Sequence, residues 1–157
     1  MTTSTHLTQI ALAGPNISGA EAHLLRSAYK SPLQDRVSAR LEALTGGRYR
    51  GVSLDRGWAI EGVVPRDSEG AAVGTLSFGT QEQLAFLSRL CLAELLGERQ
   101  GERHLVLFDD NLVHTDEQRM AVACGWLEEV AEKAQLLVFT CHPERYARCG
   151  SAQVTLF

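Results

Sequence analysis

Leu76–Gln83 is the first of three stretches whose side chains suit phosphate or metal chemistry. Ser77 and Gly79 stand directly before a helical pattern. A helix start has unpaired N–H groups and positive partial charge, which suit an anion, and glycine permits close backbone approach. A capping motif explains the same residues without a ligand, with Ser77 or Thr80 at the N-cap and Gln83 three residues after Thr80.

The second stretch ends in two adjacent acids, Asp109 and Asp110, after the apolar run Leu105–Phe108. A strand of this kind can deliver carboxylates to a metal–phosphate site. Mg²⁺ prefers oxygen ligands, and a neighbouring carboxylate can orient or deprotonate water. The alternative is an acidic turn after a strand.

The third stretch carries His142, two residues after the apolar run Leu136–Thr140. A histidine in this position can contact a phosphoryl oxygen or a water, although a structural histidine is the alternative. A zinc site from Cys141, His142 and Cys149 is a further alternative, but the spacing matches no common zinc pattern.

The elements that must position these residues form an α/β pattern in the second half of the chain. Apolar periodicity predicts helices at residues 80–97 and 115–133 and buried strands at residues 104–109 and 135–140. The helix between the strands is long enough for a parallel crossover. Asp109, Asp110 and His142 should therefore share the edge at the carboxyl ends of the strands.

The pattern in the first half of the sequence predicts a helix followed by a β hairpin. Residues 20–45 read as helix, broken or kinked at Pro32 and ended by Gly46-Gly47. Two β-like runs follow, Arg48–Asp55 and Trp58–Val64, and residues 65–75 read as loop. The apolar face of the helix is formed by Leu33, Val37, Leu41 and Leu44. Residues 5–13 and 154–157 could add short strands.

The ordered set of stretches resembles the C-terminal lobe of ABC-type ATPases, closest to the SMC-like branch with RecF- and RecN-type DNA repair proteins. Leu76–Gln83 resembles the signature motif LSxGxxxQ, and Leu105–Asp110 resembles Walker B. Val113–Asp116 resembles the D-loop, and His142 matches the switch histidine. The likeness covers residues 33–157 and leaves residues 1–32 as a segment of uncertain structure.

The resemblance implies a fold, which is the C-terminal half of a P-loop NTPase head. Parallel central strands with flanking helices would follow a helix and a β hairpin. Thr45–Tyr49, before that hairpin, resembles the segment where a coiled coil re-enters such a head.

The resemblance also implies a role for each matched residue. Ser77 and Gly79 would contact the γ-phosphate of ATP held by another subunit, with Gln83 and Asp116 on the same nucleotide-linked interface. Asp109 would support Mg²⁺, and His142 would contact the γ-phosphate. Asp110 stands where most of the family has a catalytic glutamate that positions the attacking water, and it is one methylene shorter.

The phosphate-binding Walker A loop, GxxxxGK[ST], is absent from the sequence. Neither of the two lysines, Lys30 and Lys133, follows a glycine. Gly14–Glu21 has a similar glycine spacing, but Ala20 stands where the lysine should be. Hydrolysis is therefore expected only with a subunit or lobe that supplies Walker A, in a dimer formed through the nucleotide. That lobe would be a separate polypeptide or lost from this chain.

Composition and charge limit the remaining function classes. The chain has 157 residues, is 45% apolar and has a net charge of −4, which favours one domain and disfavours an autonomous nucleic-acid binder. DNA would be contacted indirectly at most, in repair or chromosome maintenance. No apolar run is long enough for a membrane helix and the start resembles no signal peptide, so the cytoplasm is expected.

Three further expectations follow from the same residues. The four cysteines form no CxxC pair, which predicts free, mostly buried thiols. A non-catalytic module that binds or regulates a complete ATPase is the first alternative function. A metal-dependent phosphohydrolase with Asp109, Asp110 and His142 as ligands is the second.

Overall fold

Residues 26–150 are described by a computed structural model and have a mixed α/β architecture. The α-helices are α1 Ser31–Leu44, α2 Phe78–Gln100 and α3 Glu117–Ala131. The strands are β1 Tyr49–Leu54, β2 Ile60–Pro65, β3 Ala71–Ala72, β4 Leu105–Asp109 and β5 Gln135–Phe139. Short turns of other helix types cover Arg26–Lys30, Val73–Thr75 and Pro143–Tyr146. The strand expected at residues 5–13 and the one at 154–157 lie outside the described residues.

Helix α1 agrees with the predicted apolar face. Its four inward residues, Leu33, Val37, Leu41 and Leu44, are all buried. A π-helical turn, Arg26–Lys30, precedes α1, and Pro32 lies in the first turn of α1. Proline is tolerated there because the first N–H groups of a helix have no intrahelical partner. The helix ends before Gly46 and Gly47, which both have positive φ.

The hairpin is confirmed as an antiparallel pair of β1 and β2. Its turn is stabilised by the Asp55 carboxylate, which accepts hydrogen bonds from the N–H groups of Gly57 (2.8 Å) and Ala59 (2.9 Å). The segment expected as loop after β2 contains β3, which pairs with β2 and makes a three-stranded sheet. The hairpin is held to α1 by the Val52 N–H, which donates to the Ser38 hydroxyl at 3.0 Å.

Helix α2 is longer than the predicted 80–97 and is the central element of the described core. Buried side chains occur around most of its circumference rather than on one face, including Leu84, Phe86, Leu90 and Leu95. A helix that is apolar on several sides is typical of one packed between layers. Here α1, β4 and α3 all contact it.

A buried carboxylate on α2 connects three parts of the described chain. Glu94 is 5% exposed. It forms ion pairs with Arg36 at 3.0 Å and with Arg40 at 3.2 Å, both on α1. Lys133, in the turn after α3, is 3.4 Å from the other carboxylate oxygen. This network ties α1 and the α3–β5 turn to the middle of α2.

Strands β4 and β5 are parallel neighbours, as the crossover pattern predicted. Leu107 pairs with Leu137 and Asp109 with Phe139. Helix α3 forms the connection between the two strands. The carboxyl ends of both strands therefore lie at the same edge of this two-stranded sheet.

The prediction that β4 and β5 are buried on both faces is wrong for the described residues. Phe108 on the inner face is buried against Phe86 of α2. Exposed fractions on the outer face are 57% for Leu105, 51% for Leu107, 44% for Leu137 and 41% for Phe139. The physical reason is that only one layer of helices covers the sheet within residues 26–150.

Helical spacing predicts that Ala121, Cys124, Leu127 and Val130 form the inner side of α3, and this holds except at Ala121; the predicted free thiols also need correction. Ala121 is exposed, and the buried residues of α3 are Met120, Ala123, Cys124, Leu127 and Val130. Cys124 forms a disulfide with Cys149, with their Cα atoms 5.2 Å apart. The turn Pro143–Tyr146 returns the chain to α3 and brings the two cysteines within bonding range. Cys91 is a buried free thiol and Cys141 an exposed one.

Candidate functional site

The tips of β4 and β5 are joined through the Asp110 side chain. Its carboxylate accepts hydrogen bonds from the Thr140 hydroxyl at 2.9 Å and from the Cys141 N–H at 3.1 Å. The Cys141 thiol donates to the second carboxylate oxygen at 3.1 Å. The Asp110 backbone has a left-handed φ of 44°, a conformation that aspartate and asparagine tolerate better than most other non-glycine residues.

These contacts shift two pKa values in opposite directions. Hydrogen bonds from Cys141 and Thr140 lower the pKa of Asp110, with a smaller contribution from His142. The Asp110 carboxylate raises the pKa of the Cys141 thiol, because it stabilises the protonated, donating form. Asp110 is therefore ionised and Cys141 protonated at neutral pH.

Asp109 is exposed and lies on the outer face of the sheet. Leu105 and Leu107 lie on the same face, because side chains two residues apart in a strand point to the same side. The carboxylate of Asp109 makes no hydrogen bond or ion pair with any residue of the described chain, and it is available to a cation. Its backbone N–H donates to the Asn111 side chain at 3.2 Å. The two consecutive acids thus differ, since Asp110 is held by neighbouring groups and Asp109 is not.

His142 is half-buried and begins the short turn Pro143–Tyr146. Its N–H donates to the Thr140 hydroxyl at 2.9 Å, and its Nδ1 lies 3.5 Å from a Glu144 carboxylate oxygen. Thr140 thus contacts both Asp110 and His142, which fixes the two loops relative to each other.

Ser77 is the N-cap of α2, which agrees with the capping interpretation. Its exposed hydroxyl accepts from the Thr80 N–H at 3.4 Å and lies 2.8 Å from the Thr80 hydroxyl. A Cβ added at Gly79 would lie 3.5 Å from the His114 side chain and backbone. The exposed ring of Phe78 contacts the His114 ring edge-on, with centroids 5.1 Å apart.

Gln83 points into the core rather than toward the open helix start. It is 2% exposed, and its amide nitrogen lies 3.4 Å from the Thr115 hydroxyl. Its amide oxygen has no hydrogen-bond partner within the described part of the chain. A ligand could reach Gln83 only if the segment around Thr115 moved.

Residues 111–116 connect the start of α2 to the strand tips. The Glu82 carboxylate accepts from the His114 N–H at 3.2 Å and lies 3.4 Å from its Nδ1. At the far end of the segment, Asp116 is the N-cap of α3 and accepts from the Arg119 N–H at 2.9 Å. Phe78 and Gly79 therefore lie beside His114, whereas Asp110 and His142 meet at Thr140.

Two residues that the sequence did not single out hold this segment from the other side. The Arg145 guanidinium donates to the Leu112 carbonyl at 3.0 Å and also to the Thr115 carbonyl. The Tyr146 hydroxyl donates to the Asn111 carbonyl. Burial raises the pKa of Tyr146 to about 12. Their position three and four residues after His142 was the available signal, but it does not reveal that they turn back toward the loop after β4.

Comparison with known proteins gives partial relatives. No protein family profile matches the sequence. Uncharacterized proteins of Mycobacterium bovis and Mycobacterium tuberculosis are 38% identical over 71 residues, which is 45% of this chain. The matched stretch is only 8% of the length of each of these relatives. Within residues 26–150, no helix has the length and apolar character needed to cross a bilayer.

Proposed function

We propose that this chain supplies one face of a composite ATP site and that a partner supplies the phosphate-binding Walker A loop. The observation that carries the proposal is the parallel, adjacent pairing of β4 and β5. It supports an arrangement in which Asp109, Asp110 and His142 act at one sheet edge. In α/β proteins, ligands gather beyond the carboxyl ends of parallel strands.

Asp109 is the residue we assign to Mg²⁺. Mg²⁺ is commonly held by one or two carboxylates together with substrate phosphates and water, so a single free carboxylate is sufficient from this side. When bound, the ion would neutralise charge that develops on the transferred phosphoryl group. The unpaired carboxylate of Asp109 fits a magnesium ion shared with a bound phosphate better than it fits a closed metal site made only of protein ligands.

Asp110 and His142 are assigned to the attacking water and the terminal phosphate. The ionised Asp110 can accept a hydrogen bond from a water, but its oxygens already accept hydrogen bonds from Thr140 and Cys141. Oδ1 accepts two hydrogen bonds and Oδ2 accepts one, so a water can be oriented only at the acceptor position that remains on Oδ2. We therefore expect slow hydrolysis from the complete site.

Ser77, Gly79 and Asp116 are assigned to the interface with a second nucleotide-bearing subunit. The exposed Ser77 side chain at the start of α2 supports this, because the N-terminus of a helix favours an anion. The buried Gln83 would act indirectly, by holding Thr115. A P-loop NTPase half-fold and a role in DNA repair or chromosome maintenance in the cytoplasm belong to the same proposal and rest on the sequence resemblance.

A test uses affinity-tagged full-length chain recovered with its partners from the source cells. We expect no ATP hydrolysis by the chain alone and magnesium-dependent hydrolysis by the recovered complex. Asp109→Ala should lower that rate by about 100-fold. Glu132→Ala removes an exposed acid outside the site and should leave the rate unchanged. Hydrolysis by the isolated chain, or full activity in the Asp109 variant, would contradict the proposal.

A non-catalytic interaction module is the second candidate, and the engaged state of Asp110 favours it. In that case the partner's hydrolysis would be indifferent to both Asp109→Ala and Asp110→Ala. Unchanged rates in both variants, with the partner still bound, would favour this candidate over the composite site.

A further inference from the structure

The chain after β5 passes over the loop that follows β4 and is bonded to it. We define the β4 loop as residues 110–115 and the cover segment as residues 143–150. From the cover segment, the Arg145 guanidinium donates to two carbonyls of the β4 loop, and the Tyr146 hydroxyl donates to a third. The position of the β4 loop therefore depends on where the cover segment lies.

The β4 loop holds two residues in a backbone conformation that L side chains rarely adopt. The φ angle is 44° at Asp110 and 69° at Leu112. Such left-handed conformations raise the free energy of the backbone, so they persist only where surrounding contacts hold them. Leu112 is fully buried, and its carbonyl accepts from Arg145. We expect the β4 loop to relax when the cover segment moves away.

The cover segment is attached to α3 by the Cys124–Cys149 disulfide. Cys149 lies three residues after Tyr146, and its partner Cys124 lies in the middle of α3. The Gly150 N–H also donates to the Glu128 carboxylate of α3 at 2.8 Å. A single hydrogen bond contributes little net stability beside a covalent link. Within the described residues, the disulfide is therefore the main restraint on the far end of the cover segment.

A surface cavity of about 300 Å³ lies beside this disulfide. Its lining includes Cys124 and four charged residues, which are Glu117, Glu144, Arg145 and Arg148. Two acids and two arginines give the lining no net charge, so an approaching thiolate meets no overall repulsion. Cys124 is therefore the cysteine of the pair that a small dithiol approaches from solvent.

We propose that Cys124 and Cys149 form a redox switch, opened by a dithiol, that sets the position of the β4 loop. A thiolate of the dithiol attacks the Cys124 sulfur, the disulfide bond breaks, and Cys149 leaves as a thiolate. The second thiol of the reductant then displaces Cys124 from the mixed disulfide. Two electrons pass to the protein, the reductant becomes a disulfide, and two protons end on the two cysteines.

The two states differ in what holds the β4 loop. With the disulfide closed, Arg145 and Tyr146 stay on the loop carbonyls. With the disulfide open, the cover segment can leave α3, and Asp110 and Leu112 return toward ordinary backbone conformations. The inference does not depend on the proposed function, because it concerns the β4 loop with or without a nucleotide.

The test is amide hydrogen exchange of the full chain before and after reduction with dithiothreitol. The reporters are the N–H groups of Asp110 and Thr115, which donate to backbone carbonyls, and the control is the Val52 N–H of the hairpin. We expect reduction to accelerate the reporters about tenfold more than Val52, and reoxidation with oxidised glutathione to reverse the change. Unchanged reporters, an equal acceleration at Val52, or no recovery on reoxidation would overturn the inference.

A substitution tests whether the disulfide acts through the cover segment. Arg145→Ala should accelerate the reporters relative to Val52 even with the disulfide closed, and reduction should then add less than it adds in the wild type. Arg148→Ala is the matched control, because this arginine of the same segment makes no hydrogen bond within residues 26–150. Protected reporters in Arg145→Ala, or equal acceleration in Arg148→Ala, would contradict the proposed coupling and the inference with it.

Discussion

Asp110 and Cys141 form a pair whose properties could not be predicted from either residue alone. The sequence identified Asp109, Asp110 and His142 because an acidic strand end and a histidine after a strand are local patterns. It could not show that Thr140 and Cys141 donate to Asp110, because those contacts depend on the register of β4 against β5. A side chain's partner across a sheet is fixed only when the strands pair.

The thiol of Cys141 should react more slowly than its exposure suggests. Only the thiolate is nucleophilic, and the Asp110 carboxylate raises the Cys141 pKa. We expect Asp110→Ala to increase the rate of iodoacetamide labelling at pH 8 several-fold. The rate as a function of pH, followed by mass spectrometry, should show a lower apparent pKa in the variant. Identical pH profiles in the two proteins would contradict this contact.

The left-handed backbone at Asp110 affects any attempt to introduce the glutamate that the resembled family usually has. Glutamate is less tolerant of positive φ than aspartate. Asp110→Glu should therefore lower the free energy of unfolding by about 1 kcal/mol in addition to any change of reach. Urea unfolding would detect this, and Asp109→Glu in the extended strand provides the comparison.

At the scale of elements, the apolar pattern predicted α1, the hairpin and the parallel pair. Leu33, Val37 and Leu41 repeat at helical spacing, and burial confirms that face. The environment of Arg36 and Arg40 was not predictable. Charged residues on a helix usually face water, and their partner Glu94 lies 54 residues or more further along the chain. The boundaries of α3 also differed, because Asp116 caps it at a point that periodicity does not mark.

Glu94 should be important for holding α1 against α2. We expect Glu94→Ala to lower the free energy of unfolding by about 2 kcal/mol, because it leaves two partly buried arginines without their shared carboxylate. The loss is moderated because Arg36 keeps Glu98 and Arg40 keeps Glu129. Urea titration measures this change, and Glu132→Ala should stay within about 0.5 kcal/mol of the wild type. Equal stability of both variants would exclude a structural role for the network.

The same network should make stability depend on pH in the acidic range. Hydrogen bonds from Arg36 and Lys133 lower the pKa of Glu98 from 4.5 to about 2. A lowered folded-state pKa stabilises the protein above the unfolded-state value, and this contribution is lost as the pH falls from 4.5 toward 2. The stability difference between wild type and Glu98→Gln should therefore be largest near neutral pH and vanish near pH 2. A constant difference would contradict the assignment.

At the scale of the whole molecule, the sequence could not show which layers cover one another. Apolar strands such as β4 and β5 predict burial on two faces, but the covering layer belongs to tertiary structure and can come from elsewhere. The disulfide was missed for a related reason. Cys124 and Cys149 are 25 residues apart, and only the return of the chain over α3 brings them together.

The Cys124–Cys149 disulfide gives a measurable test of the described fold. Alkylation of unfolded, unreduced protein should label two cysteines, and prior reduction should raise the number to four. Because the bond closes a loop of 25 residues, reduction should lower the free energy of unfolding by about 3 kcal/mol. Labelling of all four cysteines without a reductant would show that the pair is not formed in solution.

The half-covered sheet also has a practical consequence for making the protein. Open strand edges beside exposed leucines can pair with the same edges of other molecules. Heterologous overproduction of the chain by itself should therefore leave part of it in aggregates that bind amyloid dyes and lower the soluble yield. Co-production with a polypeptide that covers Leu107 and Leu137 should restore soluble yield.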